Sequence, residues 1–234
     1  MTIKAVIFDK DGTLIEFSDL WRSALEEVFE KYNLDQEIIK EIRKKVGIQD
    51  DKTIVENSVL AAGTMKDLVD ILSDYISLDE EDLYLEVSNH FLAYMKNHKE
   101  MIRETCDLKS LFKKLKDQGI KIGVITADDY RQADLCFDLL GLKDDIEFLA
   151  TGDRYLNKPD PSSLDAFCKK FDLDRSEVAM VGDSEIDMLL GKKAGLAIGV
   201  LSGTGTRQGL EKSADLVLDS VCDLASVIKA YTLG

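Results

Sequence analysis

A short apolar run near the start of the chain ends abruptly in charge. Val6-Ile7-Phe8 is followed at once by Asp9-Lys10-Asp11-Gly12-Thr13. β-Branched and aromatic residues in such a run favour a strand with both faces covered. Two carboxylates one residue apart, then a glycine, bring that strand no packing advantage. They suit a site where one carboxylate is a nucleophile, another an acid, and a divalent cation offsets their charge. Strand alternation turns positions i and i+2 to one side, so Asp9 and Asp11 can converge.

The pattern from Leu108 onward decides what sheet this strand joins. Residues 108–117, 131–140, 162–171 and 186–194 carry helical spacing. Residues 120–125, 147–150, 178–181, 196–200 and 216–218 read as strands, and a last helix begins near Val221. Gly119, Gly141 and Gly195 close three of the helices. The alternation predicts an α/β fold, a Rossmann-like parallel sheet with helices on both faces. In such sheets the ligand sits outside the carboxyl ends of the strands.

Between the first strand and this alternation, the chain reads as helical with few breaks. Ser18 is read as the N-cap of a helix carrying Leu20, Trp21, Ala24, Leu25, Val28 and Phe29 at near i, i+3, i+4 spacing. The block is therefore an insertion. Residues 16–100 are expected to form an all-helical cap domain, and residues 1–15 and 101–234 the α/β core domain. The insertion starts just past Asp11, so it hangs over the strand end. It holds 10 Lys and Arg against 20 Asp and Glu. Its one basic cluster is Lys40, Arg43, Lys44 and Lys45, ending at a turn at Val46-Gly47. Such clusters are commonly a solvated face. The sharper expectation is that Arg43 or Lys44 reaches down to a substrate carboxylate or second phosphate.

Charge and composition narrow the partners. A formal net charge of −15 repels nucleic acid and anionic lipid, so neither is expected to bind. It also disfavours a phosphate ester unless a cation compensates. No apolar run approaches the roughly 20 residues that span a bilayer, and no leader-like h-region opens the chain, so a cytoplasmic location is expected. The four cysteines are scattered, with no CxxC pair. They read as reduced packing thiols, not zinc ligands.

Three further strand ends carry polar residues. Ile125-Thr126-Ala127-Asp128 offers a hydroxyl and backbone amides. Asn157-Lys158-Pro159-Asp160-Pro161 holds a lysine before a helix start, stiffened by two prolines. Gly182-Asp183-Ser184-Glu185-Ile186-Asp187 sets two aspartates four apart. Carboxylates with a hard cation suit magnesium, and a lysine and a hydroxyl can orient a phosphoryl group. Glycines 203 and 205 lack a following G-K-[ST], which excludes a P-loop.

With these residues the chain resembles the haloacid-dehalogenase superfamily, in the branch with a helical cap after the first strand. Within it, the phosphoglycolate-phosphatase-like hydrolases are most similar. The segments FDKDGT, VITAD, NKPDP and GDSEID occur in order and span the core, joined by GTGTR and ADLVL near the C-terminus. The resemblance implies a Mg2+-dependent phosphatase working on a small phosphorylated metabolite, phosphoglycolate-like or a sugar phosphate, through an aspartyl phosphate. It implies that Asp9 is nucleophile and metal ligand, and that Asp11 is the acid/base and a ligand through its backbone carbonyl. Thr126 and Lys158 would hold the phosphoryl group, Asp183 the metal, and Asp187 would support Lys158 or the metal's outer shell. Gly12, Thr13 and the Ala127 amide are implied as supporting groups.

Asp11 separates the chain from dehalogenase-like relatives, which lack a carboxylate there. Related hexose-phosphate mutases commonly carry a histidine in the first cap helix, where this chain has Trp21. Trp21 is expected to line the pocket or to pack the cap. A β-phosphoglucomutase-like mutase and a non-catalytic phosphate-binding relative remain as alternatives. Asp128, where relatives often have asparagine, reads as a helix N-cap. Lys10 fills a usually apolar position and is assigned no function. A monomer or homodimer is expected.

Overall fold

The computed structural model of the chain describes residues 2–16, 19–50 and 53–232. The N-cap expected at Ser18 lies outside these described residues. Strand β1 (Ala5–Phe8) is wholly buried. The inserted segment then runs through α1 (Asp19–Lys31), α2 (Gln36–Val46), β2 (Ile48–Gln49), β3 (Thr53–Ile54), α3 (Val59–Ala62), α4 (Met65–Ser73) and α5 (Glu80–Asn97). After it come α6 (Leu108–Asp117), β4 (Lys121–Ile125), α7 (Tyr130–Leu139), β5 (Phe148–Ala150) and α8 (Ser162–Phe171). The chain ends with β6 (Val178–Gly182), α9 (Glu185–Gly191), β7 (Leu196–Val200), α10 (Arg207–Leu210), β8 (Leu216–Leu218) and α11 (Leu224–Thr232).

Six strands form one parallel sheet in the order β5-β4-β1-β6-β7-β8. Phe8 of β1 sits opposite Val124 of β4 and Val181 of β6. After β4 and β5 extend the sheet one way, β6 begins on the other side of β1. That reversal opens a crevice at the carboxyl ends of β1, β4 and β6. Alternation along β1 supplies both faces with core. Val6 and Phe8 join the cluster containing Leu111, Phe112 and Leu115 of α6. Ala5 and Ile7 join Leu164 and Phe167 of α8.

The insertion is built by the same rule at helical period. The six residues expected on one face of α1, from Leu20 to Phe29, are the ones buried there. They belong to one cluster with Leu83, Val87, Phe91 and Met95 of α5. The expectation that this segment is all-helical is corrected: it also holds a short antiparallel pair, with Ile48 opposite Ile54 and Gln49 opposite Thr53. Gly47 stops α2 at φ 91°, in the left-handed region that only glycine enters cheaply. The β-branched residues after it then pair instead of continuing a helix.

The two largest boundary differences from sequence expectation are in α9 and α11. Helix α9 closes at Gly191, and α11 starts at Leu224 after a single tight turn over residues 221–223. Cys136 and Cys168 are buried free thiols, whereas Cys106 is half-buried and Cys222 exposed. No described helix is long and apolar enough to cross a membrane.

Candidate active site

Four chain segments meet at the carboxyl end of the central strands. Asp9 follows β1, its amide donating to Val181 O at 2.8 Å. Thr126 follows β4, its amide donating to Ala150 O at 3.0 Å. Asp183 follows β6, and Lys158 comes from the loop before α8. The Lys158 ammonium donates to Asp9 Oδ1 at 2.5 Å and to Asp187 Oδ1 at 2.6 Å. The other oxygen of Asp187 accepts from Ser184 Oγ at 2.6 Å and from the Ser184 amide at 3.1 Å. This is a capping box at the start of α9, so Asp187 is locked by its own helix and aims at the lysine.

Asp183 is held from the other side. Its Oδ2 accepts from the Thr204 amide at 2.8 Å, and its Oδ1 from Thr13 Oγ1 at 3.4 Å. Ser202 Oγ donates to Gly12 O at 2.7 Å, which ties the 202–205 loop to the loop after β1. Gly12 has φ +80°, and a Cβ there would meet the Asp183 carboxylate at 2.7 Å. A Cβ on Gly203 would come within 2.0 Å of Asp183 Oδ2. Backbone thus encloses this carboxylate on two sides.

Oxygens of Asp9, Asp183 and Asp187 lie within 4.8 Å of one another, all three residues being buried. Burial first, then the charges of Asp187 and Asp183, push the Asp9 carboxyl well above its usual range against the pull of Lys158. Burial and Asp187 likewise push Asp183 up to about 7, opposed by the Thr204 amide and Lys158. Burial would lower the Lys158 ammonium, but Asp187 and Asp9 outweigh it and hold it above its normal value. Three buried carboxylates share one lysine, which leaves an uncompensated negative charge. An all-oxygen donor set with that deficit fits a hard divalent cation such as magnesium. Both Asp187 oxygens are held by short bonds of 2.6 Å, whereas Asp183 Oδ1 has only the 3.4 Å bond from Thr13, so Asp9 and Asp183 are the better-suited ligands.

Asp11 stands apart from this trio. Its carboxylate pairs with Lys10 Nζ at 2.6 Å, and the same ammonium reaches Asp128 at 3.1 Å. Lys10 is 1% exposed and lies 5.3 Å from the Trp21 ring centroid. Asp11 and Asp128 hold its ammonium above the normal value although burial opposes this. Burial, with Asp11 adding, pushes Asp128 up to about 7 against the effect of Lys10. The expectation that Asp128 caps the next helix is corrected: Asp129 occupies the N-cap position of α7. Tyr84 of α5 donates its hydroxyl to Asp129, which links the insertion to the sheet. Lys10, assigned nothing from sequence, instead couples Asp11 to Asp128.

One cleft of about 930 Å³, counted out to its open mouth, opens at this junction. Asp9, Asp11, Thr126, Ala127, Asp183 and Asp187 form its floor with Lys158. Trp21 lines it and stacks on Phe91 at 5.7 Å and 17°. Arg43 and Lys44 do not line it, contrary to the sharper expectation for the basic cluster. Ile39, Ile42 and Val46 bury the inner face of α2, which turns the basic residues outward. Arg43 makes a two-pronged pair with Glu26 at 2.9 and 2.8 Å. Sequence reasoning missed Gln132 and the segment 59–68, which supplies the opposite wall. Its signal was the apolar run Val59-Leu60-Ala61-Ala62-Gly63.

The family model for haloacid dehalogenase-like hydrolases matches residues 6–200. The chain belongs to that family. It is a hydrolase of the phosphatase kind within it. The PpaX protein of Clostridium perfringens, which carries a pyrophosphatase name, is 31% identical over 195 residues, covering 82% of this chain and 81% of its own. A solved Haemophilus somnus protein, described as a predicted phosphoglycolate phosphatase, has a TM-score of 0.69 at 22% identity, covering 97% of this chain and 98% of its own. The β-phosphoglucomutase of Clostridium difficile has a TM-score of 0.68 at 21% identity, covering 99% and 98%. At those identities the two structures speak for the fold alone.

Proposed function

We propose that this hydrolase is a magnesium-dependent phosphatase that cleaves a small phosphorylated metabolite through an aspartyl phosphate on Asp9. The observation that carries the reading is the junction at β1: Lys158 bonded to both Asp9 and Asp187, with Asp183 beside them. In this reading residues 16–100 form the cap domain, and residues 1–15 and 101–234 the core domain. Asp9 Oδ attacks phosphorus. Lys158 and the Thr126 hydroxyl, with the Ala127 amide, orient the phosphoryl oxygens and offset their charge. Asp11, steadied by Lys10, gives a proton to the departing oxygen and then takes one from the water that hydrolyses the acyl phosphate. Asp9, Asp183 and the Asp11 backbone carbonyl would hold magnesium, with Gly12 and Thr13 shaping that loop. The ion would supply electrostatic stabilisation of charge on the phosphoryl oxygens.

Trp21, a wall residue whose indole is neither a usable acid nor a base, favours hydrolysis over a mutase. The net charge of −15 favours a free metabolite over nucleic acid or membrane, and the proposal includes a cytoplasmic location and a monomer or homodimer. The test is turnover of a phosphate-ester panel with magnesium. Activity lost in Asp9→Asn, and lost then regained on EDTA and magnesium addition, is expected. Hydrolysis persisting in Asp9→Asn would remove the reading. Magnesium binding with no turnover of any ester would point to a non-catalytic phosphate binder.

A further inference from the structure

The cleft has two walls of opposite character, and only one of them bears charge. On the floor, six aspartates and Lys158 line the space. On the wall from the insertion stand Trp21, Val59, Leu60, Met65, Leu68 and Phe91. Among the described lining residues, Lys158 is the only cation, and it is committed to Asp9 and Asp187. None of the insertion's described lysines and arginines lines the cleft, and five of them are held by acidic partners. Arg22 pairs with Asp19, Lys31 with Glu86, Arg43 with Glu26, Lys45 with Asp74, and Lys66 with Asp70 and Glu80.

Helix α3 strengthens the contrast. Its sequence is Val-Leu-Ala-Ala, and none of its residues is buried. A helix without one polar side chain is left half-exposed along the cleft. Apolar surface in that position gains from being covered by a ligand. The polar groups nearby are neutral or negative. Gln132 is 2% exposed and gives Nε2 to Ser88 Oγ at 3.0 Å. Its Oε1 has no partner, and a carbonyl oxygen can accept from a hydroxyl but repels an anion.

We infer that the leaving group of the substrate is uncharged and largely apolar, which excludes a carboxylate or a second phosphate as the group facing the insertion. This inference rests on the phosphatase reading above and narrows it. A second anion in this cleft would lose its hydration beside Asp128 and Asp129 and find, among the described lining residues, no cation besides Lys158. An alkyl or aryl body would instead displace water from the half-exposed Val59, Leu60 and Met65. The choice runs against both phosphoglycolate and pyrophosphate as preferred substrates.

The experiment measures kcat/KM of the full chain with magnesium for isobutyl phosphate, 2-phosphoglycolate and pyrophosphate. Isobutyl phosphate replaces the carboxylate of phosphoglycolate by an isopropyl group of the same shape, so charge is the main variable. Isobutyl phosphate is expected to exceed both anions by about tenfold or more. From methyl to butyl phosphate, kcat/KM should rise about fourfold for each methylene buried. Phosphoglycolate or pyrophosphate turned over as well as isobutyl phosphate would overturn the inference and leave the phosphatase reading standing. A flat alkyl series would overturn it too. No Asp9-dependent hydrolysis of any of these esters would take down both.

Discussion

Replacing Asp183 by asparagine should make the metal-free protein more stable at alkaline pH, although it removes a residue at the heart of the site. The Asp183 carboxyl stays protonated in the fold up to about 7, against 3.8 for an ordinary aspartate. Between those values the folded chain keeps a proton that the unfolded chain has released. Stability from this group is therefore full below 3.8 and is lost as pH rises through about 7. At ~1.4 kcal/mol per pH unit the whole interval amounts to about 4 kcal/mol. Asp9, Asp187 and Lys158 titrate together with it, so roughly half, ~2 kcal/mol, is assigned to Asp183 alone. For a chain of this size that corresponds to a melting point about 4–8 °C higher at pH 8. Asparagine keeps an oxygen for the Thr204 amide, so the 2.8 Å bond survives the change. The assay is thermal melting in EDTA at pH 8 and at pH 5. The variant's advantage should shrink as pH falls, because the wild-type carboxyl then carries its proton. Adding magnesium should reverse the order: the wild type gains about 2.7 kcal/mol at a hundredfold excess over Kd, the variant much less. A variant that melts at or below the wild type at pH 8 in EDTA would refute the account of Asp183 as a charge awaiting a cation.

Three further substitutions probe other parts of the site. Lys10→Met should lower kcat/KM for alkyl phosphates about 10–100-fold through a misplaced Asp11. It should leave p-nitrophenyl phosphate, whose leaving group needs no proton, within about threefold; equal losses on both would make Lys10 purely structural. Gly203→Ala should weaken magnesium binding, read by calorimetric titration of the metal alone, about 10–100-fold. The reason is the 2.0 Å approach to Asp183 Oδ2, and unchanged affinity would contradict the enclosure. Arg43→Ala should leave every KM unchanged and cost no more than about 1 kcal/mol in a chemical melt, since its pair with Glu26 is part-exposed. A raised KM would return Arg43 to the cleft.

What was legible in the sequence follows from the range of the interactions involved. The strands and most helices after Leu108 announce themselves through local period, and so does the buried face of α1. Asp9, Thr126 and Asp183 were visible because each follows an apolar run at a strand end, where a parallel sheet gathers its ligand groups, and Lys158 because two prolines fix it just before a helix start. The Lys10–Asp128 pair was not, because 118 positions separate the two and each residue taken alone looks like a loop charge. Asp128 and Asp129 are identical in type and adjacent, and local propensity does not choose between them for the N-cap. The hairpin at β2–β3 has two residues per strand, too few for alternation to register. Gly203 looked like a turn residue, and its meaning is steric and distant: it makes room for Asp183.

The insertion's charges show where local period should overrule a charge motif. The cluster Lys40, Arg43, Lys44 and Lys45 attracts notice as the one basic island in an acidic segment. Yet Ile39, Ile42 and Val46 sit among those residues at helical spacing and are the positions α2 buries. A helix with that stripe inside has its basic residues outside, within reach of Glu26, Glu41 and Asp74. The cleft receives what is left once such helices have turned their charges to solvent. Here that is α3, too short and too apolar to carry a stripe of its own. The substrate therefore meets a wall selected by amphipathic packing, and specificity on this side of the cleft is a matter of shape and desolvation more than of ion pairing.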